Sequence, residues 1–367
     1  METGRADLAG KDHDERPGRA TRGIRARRRP TSLLLALVSL AACSGQPPRA
    51  TPTSPLGRPY SPSSPWNTPV GAGPVLHPQS ADLVRSLGKE LTSDPTQYTM
   101  PVYEVTHATP RVPVQVLGRF SDVDPDGRSV VAHRSVQVAV PLPEQATASP
   151  GSDAHVVVVD LSTGEEWGLW QARRSGTGWT ATNGYHYSVR SSGVPPTGFG
   201  SRGAGLPYLA GLVRPWELAA GRIDHAVAFA FPHPSCAFTP PATKSDGRAN
   251  ATALPEGARL QLDPQLGEQE FDRWGLDRTA RLIARALQRY GMIVVDVSGR
   301  PKVYLEAQST AQWDQSIGAA TVSRIPLEHF RVLDFRGQVS LSSCSRARVT
   351  PASPAPTDAA GFAPAGS

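Results

Sequence analysis

The chain has 367 residues, 39% of them hydrophobic, and a formal net charge of +6. Residues 1–42 hold 9 Lys/Arg against 5 Asp/Glu, and the remainder holds 29 against 27. The basic excess therefore belongs mostly to the first segment. No Lys/Arg stripe survives elsewhere, so no nucleic-acid partner is expected.

In chain order, the first signal is the basic cluster Arg25, Arg27, Arg28 and Arg29 ahead of the apolar run LLLALVSLAAC at 33–43. A charged start, a short apolar core and small residues at the end make a secretory signal. The apolar run is about half of the roughly 20 residues a membrane-spanning helix needs. Its end, Leu40-Ala41-Ala42-Cys43, matches the bacterial lipobox, where the cysteine is diacylated and becomes the mature N-terminus. This predicts a signal peptide over 1–42 and a lipid on Cys43. The membrane is the expected partner through that anchor. The expected location is the extracytoplasmic face of the bacterial cell membrane, or secretion.

Residues 44–65 contain seven prolines among Ser, Thr and Gly. Such composition favours extended chain, and 43–64 is expected as a tether. Residues 344–367, rich in Ala, Pro, Gly and Ser, are expected to be a disordered tail. A single domain is expected over 65–343.

Most regular segments of that domain read as strands. Stretches 112–117, 135–140, 155–160, 166–172, 225–231, 258–262 and 303–307 are short, β-branched or aromatic, and bounded by Gly, Pro, Asp or Ser. The pairs 155–160/166–172 and 293–297/302–307 read as hairpins across short polar loops. One helix stands out over about 278–290, with Asp277 as its cap, an apolar stripe of Leu282, Ile283, Ala286 and Leu287, and Gly291 as its stop. Shorter helices are expected at 80–87 and 215–219. Many strands and few helices predict a mostly β fold. The first choice is an antiparallel, jelly-roll-like β-sandwich with the 278–290 helix packed on it.

Candidate chemistry is spread thinly. In the strand 166–172, Trp167 and Gln171 share one face and Glu166 and Trp170 the other. One indole serves the core; the other is a candidate sugar-stacking platform. His155, His225 and His186 are the acid/base candidates, because an imidazole titrates near neutral pH. Tyr185 and Tyr187 flank His186 in a loop bounded by Gly and Asn. Glu166 is the accompanying carboxylate. The substrate-binding set is Trp167, Trp170, Gln171, Tyr185 and Tyr187. For each of these residues, packing in the core or at a sheet edge is the competing reading.

With Cys43 assigned to the lipid, Cys236 and Cys344 remain. An exported protein sits where disulfides form, so a Cys236–Cys344 bridge and two free thiols are both open. No Cys/His set has zinc-like spacing. Asp122, Asp124 and Asp126 alternate in SDVDPDG but depart from the calcium-loop pattern and read as a solvated turn. No G-x-S-x-G elbow, Walker loop or H-E-x-x-H occurs, and no metal or cofactor is expected.

The segments SPWNTPV (64–70), GSDAHVVVVDLSTGEEWGLWQA (151–172), GLPYLAGLVRPWELAAGRIDHAVAFAF (205–231), PPATKSDG (240–247), LPEGARLQLDP (254–264) and ARALQRYGMIVVD (284–296) resemble a family of uncharacterised secreted bacterial β-rich proteins. That resemblance implies matching histidines at His155 and His225. It also implies an acid between the two aromatics of the 166–172 strand, where this chain has Gly168. The resemblance carries no activity. The expected function is binding or acting on cell-surface or environmental polysaccharide, as a hydrolase or lyase if an enzyme at all. The alternative is a structural or partner-docking lipoprotein, and the glycine at 168 weakens the enzyme reading.

Overall fold

The computed structural model describes residues 56–118, 135–197, 199–313 and 317–340. The signal, Cys43, the Asp122–Asp126 turn, Cys344 and the tail lie outside the described residues. Among the described residues, no helix is long and apolar enough to cross a membrane.

The architecture is mostly β with few helices. A six-stranded sheet runs in the order Thr92–Ser93, Lys302–Val303, Val227–Phe231, Met292–Val297, Arg259–Leu262, Phe330–Val332. One four-stranded sheet has the order Val102–Val105, Val156–Asp160, Glu165–Trp170, Asn183–Ser188, and a second has Val136–Val140, Val112–Val116, Gly178–Ala181, Arg173–Ser175. A two-stranded ribbon joins Ala237–Phe238 to Val339–Ser340.

The three larger sheets are mixed, and the antiparallel expectation is corrected on this point. Parallel ladders join Thr92–Ser93 to Lys302–Val303 and Val227–Phe231 to Met292–Val297. Two more join Val102–Val105 to Val156–Asp160 and Val112–Val116 to Gly178–Ala181. Parallel partners need long crossovers, so their pairing leaves no trace in local sequence.

The 160–165 hairpin forms as expected, with Asp160 opposite Glu165. The expected 293–297/302–307 hairpin does not. Strand Val227–Phe231 lies between its two arms, parallel to one and antiparallel to the other. The 298–301 turn therefore crosses over the end of that strand, where Ser298 N donates to Phe231 O at 3.1 Å. Residues 183–188, expected as a loop around His186, are a strand paired to Glu165–Trp170.

Strand alternation builds four layers. Val227, Phe229 and Phe231 face Ile283 and Leu287 of the helix Arg278–Arg289. Ala228 and Ala230 face the other way, against Val157, Val159 and Tyr185. Val156 and Val158 then meet Val114, Val116 and Trp179 of the second four-stranded sheet. Strands covered on both faces read as unbroken apolar runs, which is why VVVVD and VAFAF carry no alternation. Each fully buried Ile, Val, Leu or Phe contributes about 1.5–3 kcal/mol. The helix is capped as expected, with the Asp277 side chain accepting from Ala280 N at 2.8 Å.

The proline-rich segment packs on the domain from Leu56 onward. Tyr60, Ser64 and Trp66 are buried, and Tyr60 N bonds Val189 O. Its aromatic residues have apolar surface to cover, which a proline count does not register. Cys236 takes part in a disulfide. The ladder from Ala237–Phe238 to Val339–Ser340 carries the chain to within a few residues of Cys344.

Candidate functional site

The sequence-selected histidines do not converge. His155, on the face of Val157 and Val159, is buried edge-on against Tyr208 with centroids 4.7 Å apart. Burial, then the nearby Arg202 and Lys302 charges, hold it down at about 3, so it stays neutral. His186 projects from the opposite face of the same sheet. It stacks on Trp167 at 4.7 Å and 6°, with Nε2 3.4 Å from Glu165 Oε1. His225 precedes the Val227–Phe231 strand, where Nε2 reaches Glu217 Oε1 at 3.0 Å and Nδ1 reaches Ala226 O at 2.8 Å. Burial opposes its charge, but Glu217 outweighs burial and raises its pKa.

Glu166 is closed off from solvent. Its carboxylate accepts from Tyr60 OH at 2.7 Å, from Tyr185 OH, and from Leu209 N at 3.2 Å. Gly168 explains how Tyr185 gets there. A Cβ at 168 would lie 2.1 Å from Tyr185 Cε1 and 2.4 Å from Cζ. The place where the resemblance implies an acid is filled by the tyrosine ring. Glu166 thus anchors three segments through a buried network.

The proposed aromatic platform is mostly internal. Trp167 is buried between His186 and Arg111, whose guanidinium lies 5.1 Å from the indole centroid. Trp170 is half-buried, and its Nε1 donates to Asp153 Oδ1 at 3.3 Å. Gln171 Oε1 accepts from Thr182 Oγ1 at 2.7 Å. Tyr187 packs on Tyr60 and Phe199 with centroids 6.4 and 6.1 Å apart.

An open cleft of about 450 Å³ lies elsewhere, between the 92–98 segment, Asp153 and the 297–304 segment. The crossing turn at 298–301 makes one wall. Tyr98 makes another, 41% exposed. Lys302 forms the floor, donating from Nζ to Tyr98 O at 2.6 Å and lying 5.1 Å from the Tyr304 ring centroid. Burial brings its amine down to about 8 against the pull of Asp94, Asp153 and Asp296. Asp94 is fixed by Thr96 N at 2.9 Å and Gln97 N at 3.3 Å. Burial pushes its carboxyl up, and the hydrogen bonds from the Thr96 hydroxyl and Thr96 N, the Lys302 charge and the Gln97 N bond outweigh it to give a net lowering. Asp153 is fixed by Trp170, which is how the aromatic strand reaches this cleft.

Behind the cleft, Asp246, Glu256 and Asp296 bring one carboxylate oxygen each within 4.8 Å of one another. Burial, then Asp246, hold Glu256 well above the usual carboxylate range. Burial and Asp246 push Asp296 up to about 8. Arg202 is a nearby positive group; both its Nη atoms are engaged, with the carbonyls of Pro207, Tyr208 and Ala210 and with Met100 Sδ, and its Nε is buried without a hydrogen bond. These three acids are the group among the described residues able to hold a metal.

Comparison with protein-family models, with curated proteins and with solved structures gives no match. Function therefore rests on geometry. The cleft offers an exposed ring, two oriented carboxylates and two cations, Lys302 and Arg300, a set suited to a ligand rich in hydroxyl groups. Sequence reasoning missed Tyr98, Asp153, Lys302 and the three acids. One signal was present: Asp296 ends the otherwise apolar run Met292–Val295, an unusual place for a charge.

Proposed function

We propose that the chain is a lipid-anchored extracytoplasmic protein that binds a saccharide in the cleft walled by Tyr98, Asp153 and the 298–301 turn. The observation that carries the reading is the cleft itself. An exposed aromatic ring stands beside carboxylates held in place by Trp170 and by the 94–97 turn. Aromatic faces cover the apolar faces of sugar rings, and a few fixed polar groups give orientation. Lys302 and Arg300 favour an acidic sugar. The lipobox and basic cluster support the location. The accompanying fold reading is a sandwich of the two four-stranded sheets, which share one valine- and tryptophan-lined core.

Binding is preferred over cleavage because Glu166 and His155 are sealed in the core. A lyase is the second reading, favoured by one observation: the Lys302 amine, at about 8, is near the range of a general base.

The test titrates purified protein with wall and capsular polysaccharides and follows reducing ends and unsaturated products. Binding without product is expected. Tyr98→Ala is expected to weaken it roughly tenfold, the loss of a stacking contact of about 1.4 kcal/mol. Unsaturated product abolished by Lys302→Met would replace binding with the lyase reading. Absence of both binding and product would leave a structural or partner-docking lipoprotein.

A further inference from the structure

We propose that Asp246, Glu256 and Asp296 form a binding site for a hard divalent cation of the calcium class. The proposal stands independently of the saccharide reading.

Glu256 carries the argument. It is fully buried, and neither carboxylate oxygen makes a well-formed hydrogen bond among the described residues: the polar side chains beside it are Asp246, itself an acid, and Ser245, whose hydroxyl donates to Ser235 O at 3.1 Å. The other deeply buried glutamates are served. Glu166 has two tyrosines and a backbone N–H, Glu217 has His225 and Arg214 N, and Glu306 has Arg214 and Thr310. A buried carboxylate without a donor is costly and calls for a charged or metal partner. The backbone gives Glu256 no escape. Its carbonyl accepts from Thr239 N at 2.9 Å, and Gly257 N is bonded to Val294 O at 2.8 Å.

Two further features hold the three acids together. The ladder between Val227–Phe231 and Met292–Val297 skips Val295, so Phe229 faces Val294 and Ala230 faces Asp296. Such an irregularity re-aims a side chain, here Asp296. Gly203 then leaves room for the approach. A Cβ there would stand 2.5 Å from Asp246 Oδ1 and 2.9 Å from Asp296 Oδ1.

The donor set is all oxygen, which selects calcium, magnesium or manganese over zinc and copper. Calcium is preferred because it accepts irregular sets of 6–8 oxygens completed by carbonyls and water, whereas magnesium demands a near-ideal octahedron. Asp246 is exposed and gives the ion a way in. A bound cation would tie the 240–257 segment to the strand end from which the cleft's 298–301 turn departs.

The test uses full-length purified protein stripped with a chelator and titrated with calcium and magnesium chloride, by calorimetry and thermal denaturation. One calcium per chain is expected, and Tm rises by about 5 °C at a concentration about a hundredfold above Kd. Glu256→Gln is expected to abolish the calcium-dependent rise while its calcium-free Tm equals or exceeds that of the stripped wild type. Asp246→Asn, at an exposed position, weakens calcium binding at least tenfold. No heat and no Tm shift in the stripped wild type would overturn the proposal. So would a calcium-dependent shift that persists in both variants, or a trio that responds to acidification and not to calcium.

Discussion

Gly168→Ala is expected to be among the most damaging single-methyl changes available to the chain. The added carbon would lie 2.1, 2.4 and 2.7 Å from Cε1, Cζ and OH of Tyr185, inside any permitted contact. Tyr185 is 1% exposed and donates to Glu166 while accepting from Tyr208 N at 2.6 Å, so it has nowhere to go without breaking both bonds. Overpacking costs about 1–3 kcal/mol, and losing a hydrogen bond to a buried carboxylate adds about 1.5–3 kcal/mol. The sum, about 2.5–6 kcal/mol, lowers Tm by roughly 10 °C in a domain of this size. Urea unfolding of the single variants and of the pair with Tyr185→Ala closes a double-mutant cycle. In the Tyr185→Ala background the alanine at 168 is expected to cost little. A loss below about 1 kcal/mol in the single variant, or full additivity with Tyr185→Ala, would refute the account.

Three further outcomes are expected. His155 is held at about 3 against about 6.5 when unfolded. Its contribution is therefore intact above about pH 6.5 and lost as pH falls toward 3, up to about 5 kcal/mol at roughly 1.4 kcal/mol per unit. His155→Gln should flatten that acid limb in thermal scans from pH 3 to 8, and an unchanged limb would count against it. Arg214 joins Glu306 to Glu104, the latter at 3.0 Å. Arg214→Met leaves an unpaired buried carboxylate and should cost about 3–5 kcal/mol in chemical denaturation, with a cost under about 1 kcal/mol telling against the pairing. Cys43→Ala should move the protein from membranes to the soluble fraction, and membrane retention at the wild-type level would exclude the lipobox reading.

The sequence by itself determined the local elements. Asp277 and the stripe through Ile283 and Leu287 mark a helix observed at Arg278–Arg289. The runs at 156–160 and 227–231 mark strands because β-branched and aromatic residues fit a pleated, buried surface. The turn at 161–164 sets a hairpin whose partners are neighbours in the chain. Tertiary structure alone decided the rest, because distant pairing is governed by packing between layers. Strand Val227–Phe231 enters between Met292–Val297 and Lys302–Val303, and that insertion turns an expected hairpin into the crossing that walls the cleft. The same separation governs the acids. Asp246, Glu256 and Asp296 are far apart along the chain, with only the apolar run before Asp296 marking one of them, and they meet where a skipped residue at Val295 re-aims Asp296 and Gly203 leaves room for the approach. Gly168 follows the same rule: along the sequence it reads as a lost acid, whereas in the fold it is the space that Tyr185 occupies.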